Sequence, residues 1–223
     1  MSKIEIKNIY KIFGPKPEQV LPMVKDGAGK EQVLEETGHT VGLDNVSLSI
    51  EEGEIFVCMG LSGSGKSTLI RHINRLIDPT AGQVLVNNVD VLSLNAKEIL
   101  EFRKKTMSMV FQRFGLFPHK TIIENVAYGL EIQEVPEDKR KEVAQGQIDA
   151  VGLQGFENQY PAQLSGGMQQ RAAFCQAMIH DPKIILLDEP LGKLDAMTRE
   201  KIRADFQKLW MIKRPTVIFV THS

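Results

Sequence analysis

The chain of 223 residues has few cysteines and almost no net charge. Its two cysteines cannot build a dense disulfide framework, so we expect buried free thiols and a reducing compartment. The net charge is −1, and acidic and basic residues are mixed along the chain. Such a balance gives no electrostatic reason for a nucleic-acid partner, and we expect none.

Long apolar runs are also lacking. No stretch approaches the roughly 18 consecutive apolar residues of a membrane-spanning helix. The first ten residues, MSKIEIKNIY, show no apolar segment of the signal-peptide type. We therefore expect a cytoplasmic protein that reaches a membrane only through a partner.

Apolar, strand-like runs alternate with helical patterns along the chain. Residues 4–13 are typical of an edge strand, and residues 55–59, 184–188 and 215–222 of buried strands. A helix is expected over 68–77, and the pattern is mainly helical from about 113 to 180. This alternation predicts an α/β fold with a mostly parallel sheet covered on both faces.

Residues 15–42 differ from this pattern, because they are rich in Pro, Gly and Glu. Val20, Leu21 and Val24 predict one short amphipathic helix there, and Val33 and Leu34 predict a second. We interpret the segment as an insertion between two strands.

The stretch MGLSGSGKST, residues 59–68, fits the phosphate-loop pattern G-x-x-x-x-G-K-[ST]. Glycines let backbone N–H groups turn onto phosphate oxygens, and the following helix adds its dipole. The pattern predicts that Lys66 reaches the β- and γ-phosphates and that the Ser67 hydroxyl ligates Mg²⁺. The predicted nucleotide-binding residues are Gly60, Leu61, Ser62, Gly63, Ser64, Gly65, Lys66, Ser67 and Thr68.

Two acids follow the apolar run IILL of residues 184–187. The carboxyl ends of strands in an open α/β sheet face the ligand, so Asp188 is placed to hold Mg²⁺. Glu189 is the candidate general base for an attacking water. In isolation the same pair is also compatible with a simple turn.

A second candidate anion site begins at LSGGM, which comprises Leu164, Ser165, Gly166, Gly167 and Met168. Ser165 can cap the following helix, and the glycines allow close approach of a backbone. Seen alone, the stretch is equally compatible with an ordinary capped helix.

The phosphate loop, LSGGMQQR, LLDEP and a terminal TH, in this order, resemble the ATP-binding subunit of ABC transporters over essentially the whole chain. The resemblance implies a P-loop NTPase of ABC type with an N-terminal antiparallel β part. It further implies a single domain with a core of residues 1–112 and 176–223, the insertion 15–42, and a helical subdomain over 113–175.

The resemblance also implies roles for single residues. Phe13 would stack on adenine, with Tyr10 as a nearby competitor. Gln112 would sense Mg²⁺ and the attacking water, and His222 would contact the γ-phosphate and position Glu189. Asp195 would lie in the loop of the dimer interface.

The expected partners follow from the same resemblance. Two copies would pair head to tail around two ATP molecules, with residues 164–168 of one copy on the ATP of the other. A permease would dock near the run FQRFGLFPHKTIIENVAYGL, and a solute-binding protein would act indirectly. The chain would then be peripheral on the inner face of the membrane.

The stretch IEIKNIYKIFG, the insertion with GKEQVLEETG and the flanks of the phosphate loop resemble ATPases of glycine betaine/proline importers. Most importer ATPases lack such an insertion. An importer of nitrate, sulfonate or an amino acid, or an ATP-binding protein without transport, remain alternatives. Met168, Gln176 and Lys193 depart from the usual family residues.

Family members continue past the position of His222, whereas this sequence stops at Ser223. We therefore expect the C-terminal end of the domain to be missing. We also expect the last strand to lack its outer neighbour, and ATP turnover by this chain alone to be weak.

Overall fold

A computed structural model of the chain describes residues 4–111, 115–192 and 196–221. The described residues form two compact units. One unit contains the residues up to Glu54 together with Met59–Ile99, and the other contains Ile55–Cys58 and the described residues from Leu100 onward.

Strands and helices alternate through both units. The strands are β1 Ile4–Phe13, β2 Thr40–Ile50, β3 Ile55–Met59, β4 Ala81–Val86, β5 Val89–Asp90, β6 Met107–Val110, β7 Ile184–Asp188 and β8 Thr216–Thr221. The α-helices are α1 Leu21–Lys25, α2 Lys30–Thr37, α3 Lys66–Ile73, α4 Ala96–Thr106, α5 Ile122–Ile132, α6 Glu137–Ala150, α7 Gly166–Met178 and α8 Ala196–Lys213. Short 3-10 helices lie at Pro17–Gln19, Val91–Ser93 and Pro161–Gln163.

The first unit is built on an antiparallel sheet with the strand order β2-β1-β4-β5. Ile4 pairs with Ile50 on one side and with Val86 on the other. The prediction of an edge strand over residues 4–13 is therefore wrong. Both neighbours of β1 lie far from it along the chain, so alternation within residues 4–13 carries no information about them.

The predicted helices of the insertion are confirmed as α1 and α2. Val20, Val24 and Val33 are buried against Tyr10 and Ile12 of β1. Apolar side chains at helical spacing thus cover one face of the β1–β2 pair, as the sequence pattern indicates.

The helix that follows the phosphate loop is shorter than predicted, because α3 ends at Ile73. Arg75 takes the left-handed conformation, with φ of 52°. Its guanidinium donates hydrogen bonds to the carbonyls of Val91 and Leu94. These contacts turn the chain away from the helix axis before Asp78.

The second unit is built on a sheet with the order β3-β8-β7-β6, in which the pairs β6–β7 and β7–β8 are parallel. The predicted parallel sheet is thereby confirmed. Two expectations about its edges are wrong. β8 lies between β3 and β7, so the last strand has neighbours on both sides. β3 lies at the edge and is not buried, since Val57 is 48% exposed.

Three helices of the second unit, α5, α6 and α7, pack around their own apolar core. Ile122, Val126, Ile148 and Leu153 form its centre, and each is essentially inaccessible to solvent. The prediction that the region up to residue 180 is mainly helical is thus confirmed for its described residues, 115–180. The division into a core and a 113–175 subdomain stays a prediction. Among the described helices, none combines the length and the apolar character that a membrane crossing requires.

Candidate functional site

The phosphate-loop residues lie in the first unit, where residues 60–65 precede α3 and residues 66–68 form its beginning. Gly65 has φ of 93°, which favours glycine. A Cβ on Gly65 would lie 2.5 Å from Gly42 O and 2.9 Å from the Cδ2 atom of Leu43. The loop is therefore seated directly on the backbone of β2, and a larger residue at position 65 would lift it away.

The ammonium group of Lys66 is held at the centre of this loop. Its Nζ donates to Gly60 O at 2.7 Å and to Leu61 O at 2.6 Å, and lies 3.3 Å from Ser64 Oγ. Lys66 is only 6% exposed, whereas Leu61, Ser62, Gly63 and Ser64 are exposed. Ser67 and Thr68 follow in the first helical turn and are half-buried. A buried cation surrounded by accessible loop residues is suited to an anionic ligand.

An aromatic ring lies close to this loop. Phe13, at the end of β1, packs its ring on Gly42, where a Cβ would lie 2.6 Å from the Phe13 Cε2 atom. Because Gly42 also touches Gly65, one residue of β2 separates the ring from the phosphate loop. Phe13 is 41% exposed, whereas Tyr10 is buried under the insertion at 8%. Of the two aromatic candidates, Phe13 is therefore the one with an accessible ring.

The acidic pair lies in the second unit, at the carboxyl end of β7. All five residues of β7 are buried, and Asp188 is 1% exposed. Glu189 follows with φ of 50°, and its N–H donates to Val220 O of β8 at 3.1 Å. Glu189 thus has a left-handed backbone conformation and is bonded to the neighbouring parallel strand. Non-glycine residues in this conformation are strained and recur at functional sites.

Glu189 borders a small cavity of about 100 Å³ within the same unit. Arg199 and Arg203 of α8 also line it, together with Thr221. The sequence patterns did not single out these two arginines, because four-residue spacing on a helix is equally typical of an exposed charged face. Arg203 also forms an ion pair with Glu200, at 3.6 Å from Nη1 to Oε1.

The LSGGM stretch forms the beginning of α7. Ser165 is the N-cap, and its Oγ accepts a hydrogen bond from the N–H of Met168 at 3.4 Å. Ser165 and Gly166 are exposed, Leu164 is buried, and Met168 packs partly against the helical core. The exposed first turn presents the positive end of the α7 dipole to a potential anion.

A larger cavity of about 260 Å³ lies on the second unit. Its wall is mainly aromatic and aliphatic, with Phe111, Phe117, Tyr128 and Ile132, and Gln176 of α7 also faces it. Arg103 and Lys104 add positive charge. His180 lines it as well, and burial lowers the pKa of its imidazole below the ordinary value.

Several predicted site residues lie outside the described residues. They are Gln112, Asp195 and His222. Their roles stay predictions that depend on the resemblance alone.

Comparison with known proteins places the chain in a family. Residues 43–192, well over half of the chain, match the family described as ABC transporter. The chain belongs to the ABC transporter family. The expected α/β fold of ABC type is confirmed by two structures of one dimeric bacterial ABC transporter cassette, one of them bound to ADP and phosphate. Both are 35% identical to this chain, with TM-scores of 0.82 and 0.81, and cover 99% of this chain and 88% of the solved one.

Relatives of this ABC transporter chain include two betaine transport proteins. The glycine betaine/carnitine transport ATP-binding protein GbuA of Listeria monocytogenes is 49% identical over 100% of this chain and 56% of its own length. The glycine betaine/proline betaine transport system ATP-binding protein ProV of Escherichia coli is 45% identical over 99% of this chain and 55% of its own length. This chain thus spans little more than half of the length of these relatives.

Proposed function

We propose that this chain is the ATP-hydrolysing subunit that energises import of glycine betaine, proline betaine or a related quaternary amine through a membrane permease. The observation that carries the nucleotide part of this proposal is the contact of Gly42 with both the Phe13 ring and Gly65. It brings an accessible aromatic ring next to a loop with a buried lysine. A nucleoside triphosphate has the matching chemistry, with a flat base and a phosphate chain.

In this proposal ATP binds with its base on Phe13 and its phosphates on residues 60–68. Backbone N–H groups of the loop and the dipole of α3 then hold the phosphate oxygens. Lys66 leaves the loop carbonyls and donates to the β- and γ-phosphates, so the ligand replaces the contacts that satisfy its ammonium group here.

The donor chemistry of each proposed ligand suits Mg²⁺. The Ser67 hydroxyl of the first unit and the Asp188 carboxylate of the second are hard oxygen donors, which this ion prefers, and we propose them as ligands together with Gln112, as the resemblance implies. Bound Mg²⁺ would neutralise charge on the phosphates. We propose that Glu189, oriented by His222, accepts a proton from water through its carboxylate. The water oxygen bonds to the γ-phosphorus, and ADP leaves as its bond to that phosphorus breaks. Lys66 stabilises the negative charge of the transferred phosphoryl group.

We further propose that two copies of the chain act together. Ser165 and Gly166 are exposed, so the first turn of α7 is accessible to the γ-phosphate of ATP on a second copy. Residues 164–168 and Asp195 would form this part of the interface. The dimeric state of the related cassette supports the proposal.

The membrane partner is proposed to dock at the 260 Å³ cavity of the second unit. Its aromatic and aliphatic wall suits the apolar face of a helix, and Arg103 and Lys104 suit acidic residues beside it. Docking there would make the chain peripheral on the inner face of the membrane, with a solute-binding protein acting through the permease. The solute class rests on what the names of GbuA and ProV say of those proteins.

Hydrolysis is tested with the variants Glu189→Gln and Lys66→Ala. We expect Glu189→Gln to lose ATP turnover by 100-fold or more, on the order of general-base effects, while it still binds ATP and accumulates as a dimer. Lys66→Ala should lose ATP binding. Glu142→Gln, on the exposed face of α6, is the matched control and should keep native turnover. If Glu189→Gln retains turnover, Glu189 is not the base.

The solute is tested by uptake into cells that express the chain with its cognate permease. Betaine uptake that Lys66→Ala abolishes would support the proposal. Uptake of nitrate, sulfonate or an amino acid instead would contradict the solute class but not the ATPase activity. Hydrolysis without uptake of any solute would contradict the transport role.

A further inference from the structure

The insertion ends at a histidine that contacts the turn after Phe13. His39 lies between α2 and β2 and is 8% exposed. Its imidazole packs on Gly14, where a Cβ would overlap the ring. This histidine therefore occupies the place where the chain leaves β1 and enters the insertion.

The imidazole joins the two ends of the insertion. Its Nε2 lies 2.8 Å from Pro15 O, to which it donates in the tautomer that carries the proton on Nε2. Nδ1 lies 2.9 Å from Thr37 O and 3.1 Å from Thr37 Oγ1. Thr37 Oγ1 itself donates to Val33 O at 2.6 Å in α2. Residues 24 positions apart, Pro15 and His39, are thus held together by one side chain.

The same place in the sheet determines where the Phe13 ring lies. The pairing of β1 and β2 reaches Phe13 opposite Thr40, the residue next to His39. The bond from His39 to Pro15 extends that pairing beyond the last strand residues. Lys11 also contacts the ring. Its Nζ lies 5.2 Å from the Phe13 ring centroid and donates to Asp78 O at 2.8 Å.

The insertion covers the opposite face of the same strands. Tyr10 and Ile12 point into the cluster with Val24 and Val33 of α1 and α2. Phe13 alternates with Ile12 and so points to the other face. Alternation thus places the helices and the ring on opposite faces of β1, and His39 contacts the Gly14–Pro15 turn that follows the ring.

We propose that His39 is a positioning residue that fixes the end of β1 and so holds the Phe13 ring in place for the base of ATP. The inference rests on the proposed role of Phe13. Through His39 the insertion then affects nucleotide affinity. Release of the His39 contact lets the Gly14–Pro15 turn move, and the Phe13 ring loses its contact with Gly42. The phosphate end of the site should stay intact, since Lys66 Nζ donates to Gly60 O and Leu61 O, whereas the ring nitrogens of His39 face Thr37 and Pro15.

The test compares ATP binding with tripolyphosphate binding by calorimetry on the whole chain. Base–aromatic stacking contributes about a tenfold gain in affinity, so Phe13→Ala should weaken ATP binding by about tenfold. His39→Ala should weaken it by about three- to tenfold, and His39→Gln, which keeps a donor near Pro15, should recover most of the loss. Tripolyphosphate should bind all variants equally.

A double variant separates positioning from other effects. Because His39 acts through Phe13, adding His39→Ala to Phe13→Ala should cause little further loss of ATP affinity. Gln32→Ala, on the exposed face of α2, is the matched control and should bind ATP like the native chain. Melting temperatures of all variants are measured alongside, to confirm that they are folded.

The outcomes are distinguishable. If Phe13→Ala binds ATP normally, the proposed role of Phe13 fails. If Phe13→Ala is impaired but His39→Ala and His39→Gln bind normally, the positioning inference is overturned and the proposed function stands. Losses that add in the double variant, or a parallel loss of tripolyphosphate binding, would also overturn it.

Discussion

Asn125 closes the loop that leads into α5, and its replacement gives a sharp test of how the second unit is held together. The side chain is fully buried. Its Oδ1 accepts from Phe117 N at 2.7 Å, and its Nδ2 lies 3.0, 2.9 and 3.0 Å from the carbonyl oxygens of Phe117, Lys120 and Thr121. One amide therefore bridges four backbone groups of this loop and the start of α5, although Thr121 O also accepts from Asn125 N and Phe117 O from Lys120 N.

The magnitude follows from these contacts. Two N–H groups and one oxygen make about three full hydrogen bonds, and each contributes about 1 kcal/mol net. Asn125→Ala should therefore lower the free energy of unfolding by about 3 kcal/mol. For a chain of this size that corresponds to a fall in melting temperature of about 6–12 °C.

Urea unfolding followed by circular dichroism measures the fall in the free energy of unfolding. Hydrogen exchange at the amide of Phe117 reports on the loop itself. Asn125→Asp keeps the volume and the acceptor but puts an oxygen against three carbonyls, so it should be at least as unstable at neutral pH. Thr121→Ala, which removes the N-cap of α5, is the comparison and should lose about 1 kcal/mol. If Asn125→Asp unfolds like the native chain, the hydrogen bonds do not hold this loop.

Three further predictions concern charge, thiols and the sheet edge. Burial lowers the pKa of both His72 and His180, so below about pH 6.5 the unfolded chain takes up protons before the folded chain does. The free energy of unfolding in urea should therefore fall on acidification, by up to about 1.4 kcal/mol per pH unit for each histidine, and should not change above pH 7. An unchanged slope after both are replaced by Gln would contradict this. Burial raises the pKa of the Cys175 thiol to about 12, so a thiol reagent should modify Cys58 alone until urea is added. Val57→Lys at the exposed β3 edge should reduce self-association in light scattering; unchanged association would exclude this edge.

Local features of the fold could be predicted from the sequence. The glycine spacing of the phosphate loop demands special backbone angles whatever surrounds it, and Gly65 adopts them. The valines of the insertion have helical spacing, which defines a buried face without reference to distant residues. The place of Asp188 at a strand end follows from the apolar run before it.

The order of strands could not be predicted in the same way. Residues 4–13 and 55–59 are similarly apolar, yet β1 is flanked on both sides and β3 lies at an edge. Burial of a strand depends on which distant strands pair with it. Alternation along one segment reports the faces of a sheet but not its edges.

The residues that organise the sites were also hidden from sequence reasoning. A single Asn or His inside a helical or loop segment is typical of a solvated surface, and only the fold shows that Asn125 has four backbone contacts and His39 three hydrogen-bond contacts. Residues that contact a ligand directly belong to recurring motifs because the chemistry of the ligand is shared. Residues that position them depend on the local path of one backbone, which no motif records.

Gly42 shows how closely the two ends of the proposed nucleotide site depend on that path. It carries no functional group, yet its backbone supports the Phe13 ring on one side and Gly65 on the other. A Cβ at position 42 would lie 2.6 Å from the Phe13 ring, and a resulting shift of the β2 backbone would reach Gly65 through Gly42 O, whereas a change at His39 should move the ring alone. If base and phosphate affinity respond separately to His39 and together to Gly42→Ala, then β2 is the common support of the site and the insertion adjusts only its base-binding end.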